Sequence, residues 1–81
     1  MATKEDLRGW VVDAIRGKGG SATIVEVAEY VWMHHERDLR SSGRLFFTWQ
    51  YDMRWCALEL RKANVLVSAD RSPPGTWETA T

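Results

Sequence analysis

The stretch Phe47-Thr48-Trp49-Gln50-Tyr51-Asp52-Met53-Arg54-Trp55-Cys56-Ala57-Leu58-Glu59-Leu60-Arg61-Lys62-Ala63-Asn64-Val65-Leu66-Val67 decides the fold. At 100° per residue, Trp49, Met53, Cys56, Ala57, Leu60 and Ala63 fall on one stripe, so the spacing predicts a helix over 48–63 buried along that line. Gln50, Arg54 and Arg61 lie on its flank, and Tyr51, Trp55 and Leu58 lie roughly opposite the stripe. Asn64 tolerates a left-handed backbone and is a natural stop. Val65-Leu66-Val67 is β-prone, residues 70–75 supply turn chemistry with two prolines, and Thr76-Trp77-Glu78-Thr79 can return as a partner strand. A hairpin over 65–79 therefore follows the helix.

Upstream, two more helices are written in cap signals. Thr3 with Asp6 resembles a capping box, and Leu7, Trp10, Val11, Ala14 and Ile15 follow at helical spacing, predicting a helix over 4–16 with Gly17 as its left-handed terminator. Gly19-Gly20 is a flexible turn, and Ser21-Ala22-Thr23 has room for a turn or a small strand. Thr23 and Glu26 form a full capping box for a second helix, 24–36, with the stripe Ile24, Val27, Ala28, Val31 and Trp32. His34-His35 falls in its last turn, and the polar run from Glu36 to Arg44 reads as an exposed loop. Phe46-Phe47 would staple the start of the third helix. Helix, short strand, helix, loop, helix and hairpin is the order of a winged helix-turn-helix: an α+β domain of three helices and a small antiparallel sheet, spanning 1–81 as one unit.

Composition narrows the function classes. The 81 residues carry 11 cations and 11 anions, for a formal net charge of zero, which weighs against an indiscriminate nucleic-acid binder. The distribution is uneven. Residues 1–36 hold Lys4, Arg8, Arg16 and Lys18 against six acids, whereas 37–62 hold Arg37, Arg40, Arg44, Arg54, Arg61 and Lys62 against Asp38, Asp52 and Glu59. The single cysteine, Cys56, excludes an internal disulfide and falls in a core stripe, where it reads as a small hydrophobe. No apolar run reaches the length of a membrane span, and the expected setting is soluble and cytoplasmic. Adjacent histidines point about 100° apart, and no second ligand pair stands at zinc-like spacing, so neither a metal nor any other cofactor is expected. No catalytic constellation or small-molecule substrate site assembles from these residues, and an enzyme is not expected.

The run from Arg44 through Arg54-Trp55-Cys56-Ala57-Leu58 to Leu60-Arg61-Lys62-Ala63-Asn64, followed by Gly75-Thr76-Trp77, is similar to the amino-terminal winged-helix domain of Mrr-type restriction proteins. That family tends to show an Arg-Trp-Ala-Leu helix ending in Lys-Ala-Gly-Leu, then a short wing with a glycine and an aromatic. Here Asn64 stands where the family has glycine. The likeness extends loosely back to Leu7, Trp10 and the Gly19-Gly20-Ser21 turn. It implies a DNA-recognition module, in transcriptional control or restriction-type recognition. The family's nuclease domain has no counterpart in these residues.

The residues expected to meet double-stranded DNA are then Gln50 and Arg54 from the third helix, Arg40 and Arg44 from the loop before it, and Arg71 from the wing. Arg54 could instead pair with Asp52 or Glu59, and Arg61 and Lys62 need only the helix dipole to explain them. The alternative function is a protein-interaction module, homodimeric or with another partner, using Tyr51, Trp55 and Leu58. Packing of those three within the domain is the expectation, and their exposure would favour the alternative.

Overall fold

The computed structural model describes residues 2–80. Its elements are α1 (Lys4–Gly17), β1 (Ser21–Thr23), α2 (Ile24–Arg40), α3 (Leu45–Lys62), a single 3-10 turn at Ala69–Arg71, and β2 (Thr76–Glu78). Both capping boxes form. Thr3 Oγ1 accepts from the Asp6 amide at 3.2 Å while the Thr3 amide donates to Asp6 Oδ2 at 3.0 Å. The Thr23 amide likewise donates to Glu26 Oε1 at 2.8 Å, and Thr23 Oγ1 accepts from the Glu26 amide at 3.1 Å. The Thr23 amide and hydroxyl hold the Glu26 carboxyl below its ordinary pKa.

Leu7, Val11, Ala14 and Ile15 of α1, Val27, Val31 and Leu39 of α2, and Trp49, Met53, Cys56, Ala57 and Leu60 of α3 form one buried cluster. Ala22, Leu66 and Trp77 close it from the sheet side. The predicted stripes of all three helices are thus the core, with two adjustments. Trp10, Ile24, Ala28 and Trp32 sit half-buried at its margin, and Ala63 is exposed past the end of α3.

The sheet corrects the simple hairpin. β2 pairs antiparallel with β1, matching Ser21 with Glu78, Ala22 with Trp77 and Thr23 with Thr76. Residues 65–67 reach β2 on its other side through the Leu66–Thr79 bridge, with the Val67 amide donating to the Glu78 carbonyl at 2.9 Å and the Ala80 amide to the Val65 carbonyl at 3.0 Å. β2 is therefore the middle line of the small sheet. The described residues have the layout of an α+β winged helix: three helices, a small antiparallel sheet, and a wing loop between 67 and 76.

Three boundaries differ from expectation. Gly17 is the last residue of α1, and the left-handed backbone falls on Gly19 and Gly20 at φ +89° and +101°. Asn64 is left-handed, φ +62°, as its position predicts. The largest difference is at the end of α2. Glu36 to Arg40 is not loop but helix, reached through a bend where His35 adopts φ −132°, ψ 18°. Leu39 is fully buried. Its placement follows from a stripe that repeats every four residues, Val27, Val31, His35, Leu39, in which His35 replaces an aliphatic side chain by stacking on Trp10 at 3.7 Å between ring centroids. Only Ser41 to Arg44 remains as connection, and α3 consequently starts at Leu45 rather than 48, so Phe46 and Phe47 lie in its first turn and do not precede it. Ser42 anchors this connection, accepting from the Ala2 amide at 2.8 Å and donating to the Asp38 carbonyl.

Two stability measurements check this account. Leu39→Ala should cost about 2–5 kcal/mol in urea denaturation, the range for emptying a fully buried aliphatic site, whereas a loop residue would cost almost nothing. The second concerns His35. Burial holds its imidazole below the ordinary pKa, with Asp38 partly opposing. The unfolded chain then takes up the proton first. The stability owed to the neutral, stacked ring is complete above about pH 6.5 and is lost as pH falls through the lower, folded value. The urea midpoint should drop between pH 7.5 and pH 5, and His35→Phe should flatten that drop. The depressed carboxyls, Glu26 and Asp70, act only at more acidic pH.

Candidate nucleic-acid interface

α3 is a helix with a dry side, a flank of ion pairs and an outer face, and α1 decides which residue goes where. Asp52, buried among the stripe residues, accepts from Thr48 Oγ1 at 2.7 Å and faces Lys4 Nζ of α1 at 3.7 Å. About two turns later, Glu59 meets the Arg8 guanidinium, also of α1, at 3.1 Å. Both acids of α3 are thereby drawn toward α1. Neither pairs with Arg54, which was the alternative account of that arginine.

The outer face consequently holds Phe47, Gln50, Tyr51, Arg54, Trp55, Leu58 and Lys62, all exposed. Gln50 and Arg54 stand one turn apart with no hydrogen bond or ion pair among the described residues, and both line an open groove of about 400 Å³ with Ile24, Val25 and Tyr51. One acid borders that groove, Glu29 of α2. Arg44 is exposed at the N-cap of α3, six residues before Gln50, where it makes no side-chain cap.

The expectation that Tyr51, Trp55 and Leu58 pack inside the domain is overturned. They are 64 %, 50 % and 40 % exposed, and Phe47, which precedes Tyr51 by one turn, is 83 % exposed. Tyr51 and Trp55 touch only edge to face, at 6.3 Å between centroids. The physical reason is that α3 has one neighbouring layer. α1, α2 and the sheet all pack on the stripe side, and nothing among the described residues covers the other. Phe47 belongs to this face by its i, i+4 relation to Tyr51, a signal available in the sequence that its reading as a staple obscured.

Arg40 is also corrected. It is not a free side chain on a loop. From the last turn of α2 its Nε donates to Glu36 Oε2 at 2.7 Å, and its guanidinium lies 5.2 Å over Trp32 and 5.9 Å from Phe46. Trp32 in turn stacks on Trp49, nearly parallel at 6.0 Å. Arg40 thus lids an aromatic step at the α2–α3 junction, its charge already matched. Arg71 is exposed in the 3-10 turn, next to Asp70, whose carboxyl a Ser68 hydrogen bond holds below the ordinary range and so keeps anionic.

Arg61 does more than complement the dipole of α3. Half-buried, it donates from Nη2 to the Thr76 carbonyl at 3.2 Å and to Ser72 Oγ at 3.4 Å, so the wing loop is tied to the last turn of the helix. No sequence spacing links 61 to 72 and 76, since the contact depends on how the wing folds back. Cys56 behaves as a buried hydrophobe. Its thiol lies 3.7 Å from the Lys4 carbonyl, and burial pushes its pKa up, away from thiolate chemistry. Among the described residues no group of three or more His, Cys, Asp and Glu could hold a metal ion, and no helix is long and apolar enough to cross a membrane.

Of the eight site residues predicted, the structure brings together Gln50, Tyr51, Arg54, Trp55 and Leu58 on one helix face, with Arg44 at the head of the same helix. It sets Arg40 apart at the α2–α3 junction and Arg71 in the wing. Comparison with known proteins finds no family model that matches the chain and no similar curated protein or solved structure.

The tie through Arg61 is open to test. Arg61→Met keeps the aliphatic stem and removes both hydrogen bonds. It should lower stability by only about 1 kcal/mol. Amide exchange of residues 68–76 should meanwhile accelerate while that of α1 stays slow.

Proposed function

We propose that this domain binds double-stranded DNA, with α3 entering the major groove and the wing lying along the backbone. The observation that carries the reading is the polarity of α3. Both its acids are engaged by Lys4 and Arg8 on the α1 side, leaving Gln50, Arg54 and Lys62 as the polar groups of its outer face. A helix that approaches phosphates must not present carboxylates to them, and this arrangement meets that requirement despite a net charge of zero. The winged-helix layout supports it by analogy, since the third helix is the usual reader in that architecture. The resemblance to the recognition domain of Mrr-type restriction proteins points the same way.

In this reading Arg54 and Arg44 position α3 on the backbone, Gln50 faces base edges, and Arg71 probes from the wing. Arg40 is left out, because its guanidinium is held by Glu36 and two aromatic rings. The domain acts without a cofactor and as a binder, not an enzyme, in the cytoplasm. Its role is transcriptional control or target recognition for a restriction-type system.

A second reading, a protein-interaction module, is favoured by one observation: the exposure of Phe47, Tyr51, Trp55 and Leu58 along the same face. Tryptophan, tyrosine and arginine together are also the composition of interface hot spots.

Fluorescence anisotropy on a random-sequence duplex across a salt series separates the two. DNA binding predicts micromolar affinity at low salt that weakens steeply as salt rises. Arg54→Ala should reduce the slope of log K against log salt by about 0.9, the contribution of one phosphate contact, while Arg40→Ala leaves it unchanged. Absence of binding at low salt would remove the DNA reading.

A further inference from the structure

Resting on the DNA-binding reading, we infer that the outer face of α3 is built for A·T base pairs, with Gln50 reading adenine and its apolar neighbours Tyr51 and Leu58 meeting thymine methyl groups. The reasoning starts from what a major groove offers. Its floor is a pattern of donors and acceptors, and the only apolar feature on it is the C5-methyl of thymine. The outer face of α3 is largely apolar. Phe47, Tyr51, Trp55 and Leu58 are all exposed, and only Gln50, Arg54 and Lys62 break the run. Set against G·C pairs, these side chains would strip water from polar base edges and return nothing. Against thymine they bury methyl groups.

Gln50 agrees with that choice. A glutamine amide offers one donor and one acceptor, the complement of adenine N7 and N6, and Gln50 is exposed with both groups unused among the described residues. Tyr51 is its chain neighbour, so an adenine under Gln50 sets its own or the adjacent thymine under the ring. Seven residues separate Tyr51 from Leu58, two turns or about 10 Å along the helix, which spans about three base-pair steps. The apolar contacts therefore fall on a short A·T run and not on a single pair. With Asp52 and Glu59 held toward α1, no carboxylate of α3 is placed to accept from a cytosine amino group, and Arg54, a residue type that also reads guanine, is assigned here to the phosphate backbone.

The test uses the whole chain and three duplexes of equal length: an A·T-rich sequence, the same sequence with every thymine replaced by uracil, and a G·C-rich one. Uracil pairs as thymine does and lacks only the methyl. The expected order is A·T tightest, with uracil weakening binding by about fourfold for each methyl buried, and G·C weaker still. In Tyr51→Ser/Leu58→Ser, two exposed positions whose replacement leaves the core untouched, thymine and uracil duplexes should bind alike while the salt slope stays that of the parent. Salt-dependent binding that is equal for thymine and uracil in the parent protein overturns this inference and leaves the DNA reading standing. Failure to bind any of the three overturns both. If sedimentation then shows a dimer that the double variant abolishes, the face belongs to a second copy of the chain.

Discussion

α1 and α3 are joined by a dry seam edged with charge, and most of what distinguishes this domain follows from that edge. Leu7, Val11 and Ile15 meet the Met53–Cys56–Leu60 line in the common core, while Lys4 and Arg8 stand one turn apart at its border and engage Asp52 and Glu59. The exposed Arg8–Glu59 pair adds little to stability, and the buried Asp52 carboxylate is also held by Thr48. The consequence of these contacts is directional: α3 carries acids and bases in its sequence, and packing against α1 sorts them to opposite sides. A chain with zero net charge thus acquires a helix face free of its own carboxylates.

The same sorting shows why cations cannot be counted toward a function by sequence position alone. Arg40 and Arg61 read as unpartnered surface charges from composition, yet each has a partner within the domain. Arg40 is held between Glu36 and the Trp32–Phe46 pair, and Arg61 against the Thr76 carbonyl and Ser72 hydroxyl. Arg44 and Arg54 have no such partners among the described residues. A guanidinium is most readily available to a ligand where the fold has left it nothing else to bind.

What the sequence reveals divides along physical lines. Capping boxes at Thr3 and Thr23, the stripes of all three helices and the left-handed Asn64 are local matters, governed by neighbours within four residues, and they were legible. The continuation of α2 through Leu39 was missed because its polar composition masked a four-residue repeat in which a histidine, sheltered by Trp10, does the work of an aliphatic side chain. Of the candidate site, Gln50, Arg54 and the aromatic face could be placed on one helix by spacing. Their exposure could not, because it depends on how many layers surround α3, a property of the whole fold. The partners of Asp52, Glu59 and Arg61 are likewise tertiary.

Thr23 ends β1 and caps α2 at once, with no residue between strand and helix, and the Ile24 amide that opens the helix donates to the Gly75 carbonyl at the foot of β2. Ala22 on the strand and Val27 on the helix are both buried. A single inserted residue here would have to choose between two losses: slipping the strand register, which turns Ala22 outward, or separating Thr23 from Glu26, which uncaps the helix. The segment from 21 to 27 is therefore one of invariant length. Variation in this architecture should appear there as substitution, with insertion accommodated elsewhere, as in the wing loop between Val67 and Thr76.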